Sequence, residues 1–115
     1  MGASQNKSIV NRQLKEILSE LKGRLQELYG ERLVQLVLFG SQARGDAVEG
    51  SDIDVLVVLS GEVNASREID RTSEIIWSIS FEHDTVICCV FVGEDEYRRR
   101  NGPLLRNVRR EGVLI

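Results

Sequence analysis

The triplet Asp52-Ile53-Asp54 heads a strongly apolar run, Val55-Leu56-Val57-Val58-Leu59. On a strand, residues i and i+2 share a face, so both carboxylates point one way and Ile53 points the other. Two like charges held together raise each other's pKa unless a cation sits between them. Oxygen donors of this kind suit Mg²⁺, which keeps several waters and completes its shell with substrate phosphates. The plainer alternative makes Asp52 a turn residue or cap and Asp54 a solvated edge residue. A second apolar run, Leu33 to Phe39, stops abruptly at Gly40-Ser41. Glycine lets the backbone turn sharply and approach a ligand closely. Ser41 adds a hydroxyl and a free N–H at a helix start, a place that attracts phosphate. Alone, such a turn is equally an ordinary strand-to-helix connection.

The two features gain meaning together, because ten residues separate Ser41 from Asp52. A loop of that length returns the chain so that the glycine turn and the carboxylate strand lie side by side. One end then holds a triphosphate and the other holds the cations that bridge it. Phosphoryl-type transfer needs that division between positioning and charge neutralisation. Two ions roughly 3.5–4 Å apart serve both the attacking and the leaving oxygen.

The elements that must hold these residues follow from periodicity. Val10, Leu14, Ile17, Leu18, Leu21, Leu25 and Leu28 recur at spacings of three and four, predicting an amphipathic helix over 8–29 that stops at Gly30. Strands are predicted over Leu33–Phe39, Asp52–Leu59 and Thr85–Val92, with a short helix starting at Ser41. A helix over Val63–Ser80 has Asn64 or Ser66 as its N-cap. Helices over Glu94–Arg100 and Leu104–Glu111 are parted by Gly102-Pro103, and Val113–Ile115 adds an edge strand. The order argues an α/β (α+β) fold, a small mixed sheet flanked by helices. One domain over 1–115 is expected, with 1–7 disordered.

Composition bounds the function. The chain has 115 residues, 42% hydrophobic and 29% charged, with a formal net charge of -3. That balance suits a globular protein. It offers no bulk electrostatic sign of nucleic-acid binding, so an anionic substrate needs a local device. Adjacent Cys88 and Cys89 point to opposite faces of a strand and read as small buried hydrophobes in a reducing cytoplasm. The start, MGASQNKS, lacks the apolar core of a signal peptide, and no apolar run approaches a membrane span. The expected location is cytoplasmic.

Gly40-Ser41-x10-Asp52-x-Asp54, within FGSQARGDAVEGSDIDVLVV, resembles the signature of the DNA polymerase beta nucleotidyltransferase superfamily. The GSxARG form, the small size and the ending PLLRNVRREGVLI resemble its minimal nucleotidyltransferases, the MNT proteins. The resemblance implies a polymerase-beta-like fold, Mg²⁺ (two ions) and a nucleoside triphosphate, usually ATP. It implies metal binding and catalysis by Asp52 and Asp54, and triphosphate binding by Gly40 and Ser41. That family uses a third carboxylate on a neighbouring strand. Asp84 is the candidate here and Glu82 the runner-up. It also implies a partner, a HEPN-type helical toxin, with this chain as antitoxin transferring AMP to a hydroxyl of that partner. Rival readings are a docking module with a vestigial site, and the catalytic subunit of a small-molecule-modifying transferase. A chain this short recognises its acceptor through a partner or an oligomer interface. Arg44 reads either as a phosphate or acceptor contact or as an ion-pair partner of Asp46, Glu49 or another carboxylate. His83 reads as structural. The arginines at 98, 99, 100, 106, 109 and 110 read as a solvated face or a docking surface.

Overall fold

The structure, a computed structural model, describes residues 11–48, 50–99 and 102–115. Helix α1 spans Arg12–Tyr29, strand β1 Leu33–Phe39, helix α2 Ser41–Arg44 and strand β2 Ile53–Leu59. Helix α3 spans Ala65–Glu82, strand β3 Ile87–Gly93, helix α4 Glu94–Arg99, helix α5 Pro103–Glu111 and strand β4 Val113–Leu114. The strands form one mixed sheet in the order β3-β2-β1-β4. β1 runs antiparallel to β2 and β4, while β2 and β3 are parallel, joined by α3 as the crossover. The expected mixed sheet with flanking helices is therefore what the chain forms. The readings of residues 1–7 as disordered and of 8–10 as helical lie outside the described residues.

Interior position explains why β2 is apolar from Val55 to Leu59. Ile53, Val55, Val57 and Leu59 face a core built with Leu14, Ile17, Leu18, Leu21 and Leu25 of α1 and Ile79 of α3. Leu56 and Val58 face the opposite core with Val37, Val92, Leu105 and Val108. A strand covered on both faces reads as a continuous apolar run rather than an alternation. Each fully buried Leu or Val here contributes about 1.5–3 kcal/mol of transfer free energy.

Local chemistry sets the boundaries. Asn11 caps α1, its Oδ1 accepting from the Leu14 N–H at 3.0 Å. Gly30 ends α1, as expected, with φ 58 and ψ -129, a positive-φ conformation that glycine adopts readily, and its N–H bonds the Gln26 carbonyl. Asn64, not Ser66, caps α3, accepting from the Arg67 N–H at 3.1 Å. Leu28 departs from the expected apolar stripe. It is exposed, while Tyr29 is buried. Spacings of four from Leu21 through Leu25 carry the buried row to Tyr29. α3 also differs from its expected pattern: Ile69 and Trp77 are exposed, while Glu68 and Thr72 are buried. The Tyr29 hydroxyl donates to Glu68 Oε1 at 2.7 Å, and Arg71 Nε lies 3.8 Å from the same oxygen. Burial and the neighbouring Glu68 carboxylate push the Tyr29 hydroxyl well above its usual pKa.

Candidate active site

β1 ends where the apolar run ends, and the chain must turn away from the sheet at Gly40. That residue has φ 77 and ψ -158, a conformation open to glycine alone at little cost. α2 begins at once, with Ala43 and Arg44 N–H groups bonded to the Gly40 carbonyl at 3.0 and 3.1 Å. The first N–H groups of any helix lack intrahelical partners, which applies at this turn to those of Ser41 and Gln42. Gly45, left-handed at φ 84, closes α2 and starts the loop back to β2.

That loop delivers Asp54 beside the turn. Phe39 and Asp54 are cross-strand partners, which sets Asp54 next to Gly40. The approach is so close that a Cβ on Gly40 would overlap Asp54 Oδ2. Glycine at position 40 thus meets two demands, the positive φ and the space the carboxylate takes. Asp52 is exposed and lies on the same face as Asp54, with Ile53 buried on the other, as strand alternation requires.

The electrostatics show an uncompensated pair. Burial, and then the charge of Asp52, raises the Asp54 carboxyl above its ordinary value, with Arg44 opposing weakly. Among the described residues no Lys, Arg or His forms an ion pair with Asp52 or Asp54. Two facing carboxylates without a protein cation, beside a cradle that a Cβ would fill, fit a divalent metal bound by oxygen donors. When bound, such an ion would neutralise phosphate charge and polarise the phosphorus–oxygen bonds.

Arg44 takes the ion-pair role. Its Nε lies 3.2 Å from Asp46 Oδ2 and its Nη1 lies 3.3 Å from Glu111 Oε1. It therefore ties the loop after α2 to the end of α5. Glu49, the other expected partner, lies outside the described residues.

Asp84 stands apart from the pair. It occupies the turn between α3 and β3, is exposed, and adopts φ 51. It lines a cavity of about 670 Å³ that also touches Leu14, Ile17, Gln42, Ser51 and Ile53, on the α1 side of the sheet. Glu82 belongs elsewhere too. Among the described residues the one trio of His, Cys, Asp or Glu ligand atoms within 4.8 Å of one another is Glu20, Glu82 and His83. His83 Nε2 and Glu20 Oε1 are 3.2 Å apart, so His83 serves as a link between α1 and α3, in line with its structural reading.

The residue that does face the pair on β3 is Cys88. Asp54 and Cys88 are partners in the parallel register, and Cys88 Sγ lies 3.9 Å from Asp52 Oδ2. Its side chain is exposed, not buried as the sequence suggested, since the core on this face begins further along the strand, at Val90 and Val92. Cys89 does point the opposite way, toward the α1 side, where burial pushes its thiol up to about 12. Partial burial and the two aspartates also raise the Cys88 thiol. Alternation along β3 was the signal that would have found Cys88, but only once its register against β2 was known.

Comparison with known proteins agrees with this geometry. The sequence profile described as "Nucleotidyltransferase domain" matches residues 18–111. A Methanocaldococcus jannaschii protein named "Putative protein adenylyltransferase MJ0604" is 33% identical over 103 residues, covering 89% of this chain and 93% of its own. A second protein of that organism, "Putative protein adenylyltransferase MJ0141", is 35% identical over 72 residues, covering 63% of this chain and 72% of its own. Among solved structures, one described as a "putative nucleotidyltransferase from Sulfolobus solfataricus" superposes with a TM-score of 0.65 at 25% identity, covering 98% of this chain and 90% of that one. Another, "Crystal structure of the toxin-antitoxin with AMP-PNP", shares the fold at a TM-score of 0.58 and 20% identity, over 82% of this chain and 68% of that one. With a carboxylate pair beside a glycine turn, and with these relatives, the chain belongs to the nucleotidyltransferase domain family, as the resemblance of its GS-x10-DxD stretch implied.

Proposed function

We propose that this chain transfers AMP from ATP to a hydroxyl of a partner protein, and that it does so as the antitoxin of a toxin–antitoxin pair whose toxin is a HEPN-type helical protein. The observation that carries the reading is the contact of Gly40 with Asp54, which joins the phosphate-holding turn to the carboxylate pair. The names of the M. jannaschii relatives support protein as the acceptor class. The toxin–antitoxin neighbour, described with AMP-PNP, supports both the nucleotide and the partner.

In this reading Asp52 and Asp54 hold Mg²⁺, and Gly40 and Ser41 hold the triphosphate through backbone N–H groups and the Ser41 hydroxyl. The acceptor oxygen attacks the α-phosphorus, pyrophosphate leaves, and the acceptor proton passes to a base or to solvent. Arg44 acts at one remove, holding the loop through Asp46 and Glu111. Asp84 would join only if its turn moved toward the pair. The single-domain reading over 1–115 and a cytoplasmic location belong to the same proposal. Among the described residues no helix is long and apolar enough to cross a membrane.

One observation favours a second reading, docking without transfer: Asp84 is not grouped with Asp52 and Asp54. Intact-mass spectrometry separates the two. The chain is incubated with ATP, Mg²⁺ and the product of the adjacent gene, beside a D52A/D54A variant. Transfer predicts one or more AMP units on the partner, reduced at least on the order of a hundredfold in the variant. An unmodified partner that still binds wild type and variant alike would sink transfer and leave docking.

A further inference from the structure

β3 is an outer strand of the sheet, and among the described residues no strand pairs with its far side. In a parallel pair each strand bonds its neighbour through every second residue. The Ile53 N–H bonds the Val86 carbonyl at 2.9 Å, and Ile53 pairs with Ile87. Cys88, Val90 and Val92 therefore turn their N–H and carbonyl groups toward β2. Ile87, Cys89 and Phe91 turn theirs to the free edge, where they stand as a row of backbone donors and acceptors. Natural sheets blunt such an edge with a charge, a proline or a bulge. The segment Ile87–Gly93, ICCVFVG, carries no charge and no proline, and its register with β2 runs without a break.

α3 adds an apolar flank to the same edge. It packs on β3 and against α1, with Glu68 meeting Tyr29 of α1. Trp77 stands nine positions after Glu68, two and a half turns along the helix. It therefore faces away from α1, on the side of the free edge. Phe81 follows one turn later, and both rings are largely exposed. Together they offer about 300 Å² of apolar surface, a good part of the roughly 800 Å² that each partner gives a standard interface. The levels match as well. Cys89 lies about 7 Å into β3, and Trp77 lies about 7 Å back from the end of α3 at Glu82.

We infer that two copies of this chain pair β3 against β3, antiparallel about a two-fold axis at Cys89, into one continuous sheet, with Trp77 and Phe81 of the two α3 helices packing across the same axis. A two-fold contact must be self-complementary. Pairing Cys89 with Cys89, and Ile87 with Phe91, meets that demand, because every edge-facing N–H and carbonyl of these three residues then finds a partner. Cys88 of one copy stands beside Val90 of the other, on the face that carries Asp52 and Asp54. Each carboxylate pair is thus bordered by the neighbouring copy.

The test uses the full chain without ligand. Sedimentation velocity from low to high micromolar concentration should show the mass doubling. In the dilute single chain Trp77 stays in water, and its emission should move to the blue as the dimer forms. Hydrogen exchange read by NMR should find the amides of Cys88, Val90 and Val92 protected at every concentration, and those of Ile87, Cys89 and Phe91 protected only in the dimer. Trp77→Lys, at an exposed helix position, should weaken dimerisation on the order of tenfold or more. Cys89→Pro removes an outward N–H without breaking the ladder to β2 and should do the same. If circular dichroism shows that variant unfolded, Trp77→Lys and the exchange pattern decide. A chain that stays monomeric throughout overturns the inference. So does a dimer in which the amides of Ile87, Cys89 and Phe91 exchange as fast as in the monomer, or one that Trp77→Lys leaves unchanged.

Discussion

Asp54 carries a conflict between folding and function. Its carboxyl is raised by burial and by Asp52, so the native chain binds a proton more readily there than the unfolded chain does. Between the ordinary carboxylate value and the raised one, stability therefore falls as pH rises, and above the raised value the penalty is fully present. Asp54→Asn removes that charge at nearly constant shape. In chelator, the variant should melt a few degrees higher than wild type at neutral pH. The difference should vanish once pH drops below the ordinary carboxylate value. Thermal melts across pH read both statements, and a variant less stable than wild type at neutral pH would show that Asp54 makes a stabilising contact instead. The same variant should lose AMP transfer, because an amide holds a divalent cation far less well than a carboxylate.

At the scale of elements, α3 is where folding depends on a polar contact. Its N-terminal half lays Glu68, 3% exposed, and Thr72 against α1 in place of apolar residues. Tyr29 satisfies one oxygen of Glu68 at 2.7 Å. Tyr29→Phe keeps the ring packing but removes the donor, and should cost about 1–3 kcal/mol in denaturant unfolding because a buried carboxylate loses its partner. A change well below that range would mean that Arg32 and Arg71 suffice. This contact was not legible in the sequence. Position 68 reads as solvated helix surface until the packing of α1 on α3 is known, and that packing depends on residues 39 apart. The GS-x10-DxD stretch was legible because its logic is local: strand alternation pairs Asp52 with Asp54, and one turn ends β1. The strands were legible from their apolar runs, to within two residues at each end. The place of Cys88 beside Asp54 was not legible either, since it comes from the β2–β3 register, which no local pattern encodes. Asp84 was chosen by element order, but the turn before β3 carries it to the α1 side of the sheet.

For the molecule as a whole, the question is what covers its surface. Trp77, the single tryptophan, is 70% exposed, and Phe81 one turn further along α3 is 80% exposed. The isolated chain should therefore show red-shifted tryptophan emission, strongly quenched by acrylamide. A partner docking on the outer face of α3 should shift that emission to the blue and protect it from quencher, while docking near Asp52 should leave it unchanged. The fluorescence titration thus reports which face is engaged, and blue emission from the free chain would mean that α3 is already covered by another copy. The arginines divide at this scale. Arg98 pairs with Glu94 at 2.6 Å, Arg110 lies 3.5 Å from Glu111, and Arg109 bonds the Tyr97 carbonyl. Arg109 thus ties α5 to α4, while Arg98 and Arg110 pair within their own helices.

The crowding of Gly40 against Asp54 also constrains how this protein can change by descent. A side chain at position 40 is barred as long as Asp54 keeps its carboxylate, and shortening Asp54 does not open the position, because the φ of 77 persists. A lineage that abandons the chemistry would thus keep its glycine long after losing its aspartate. The order of loss at these two positions would record that the activity decayed first and the fold stayed.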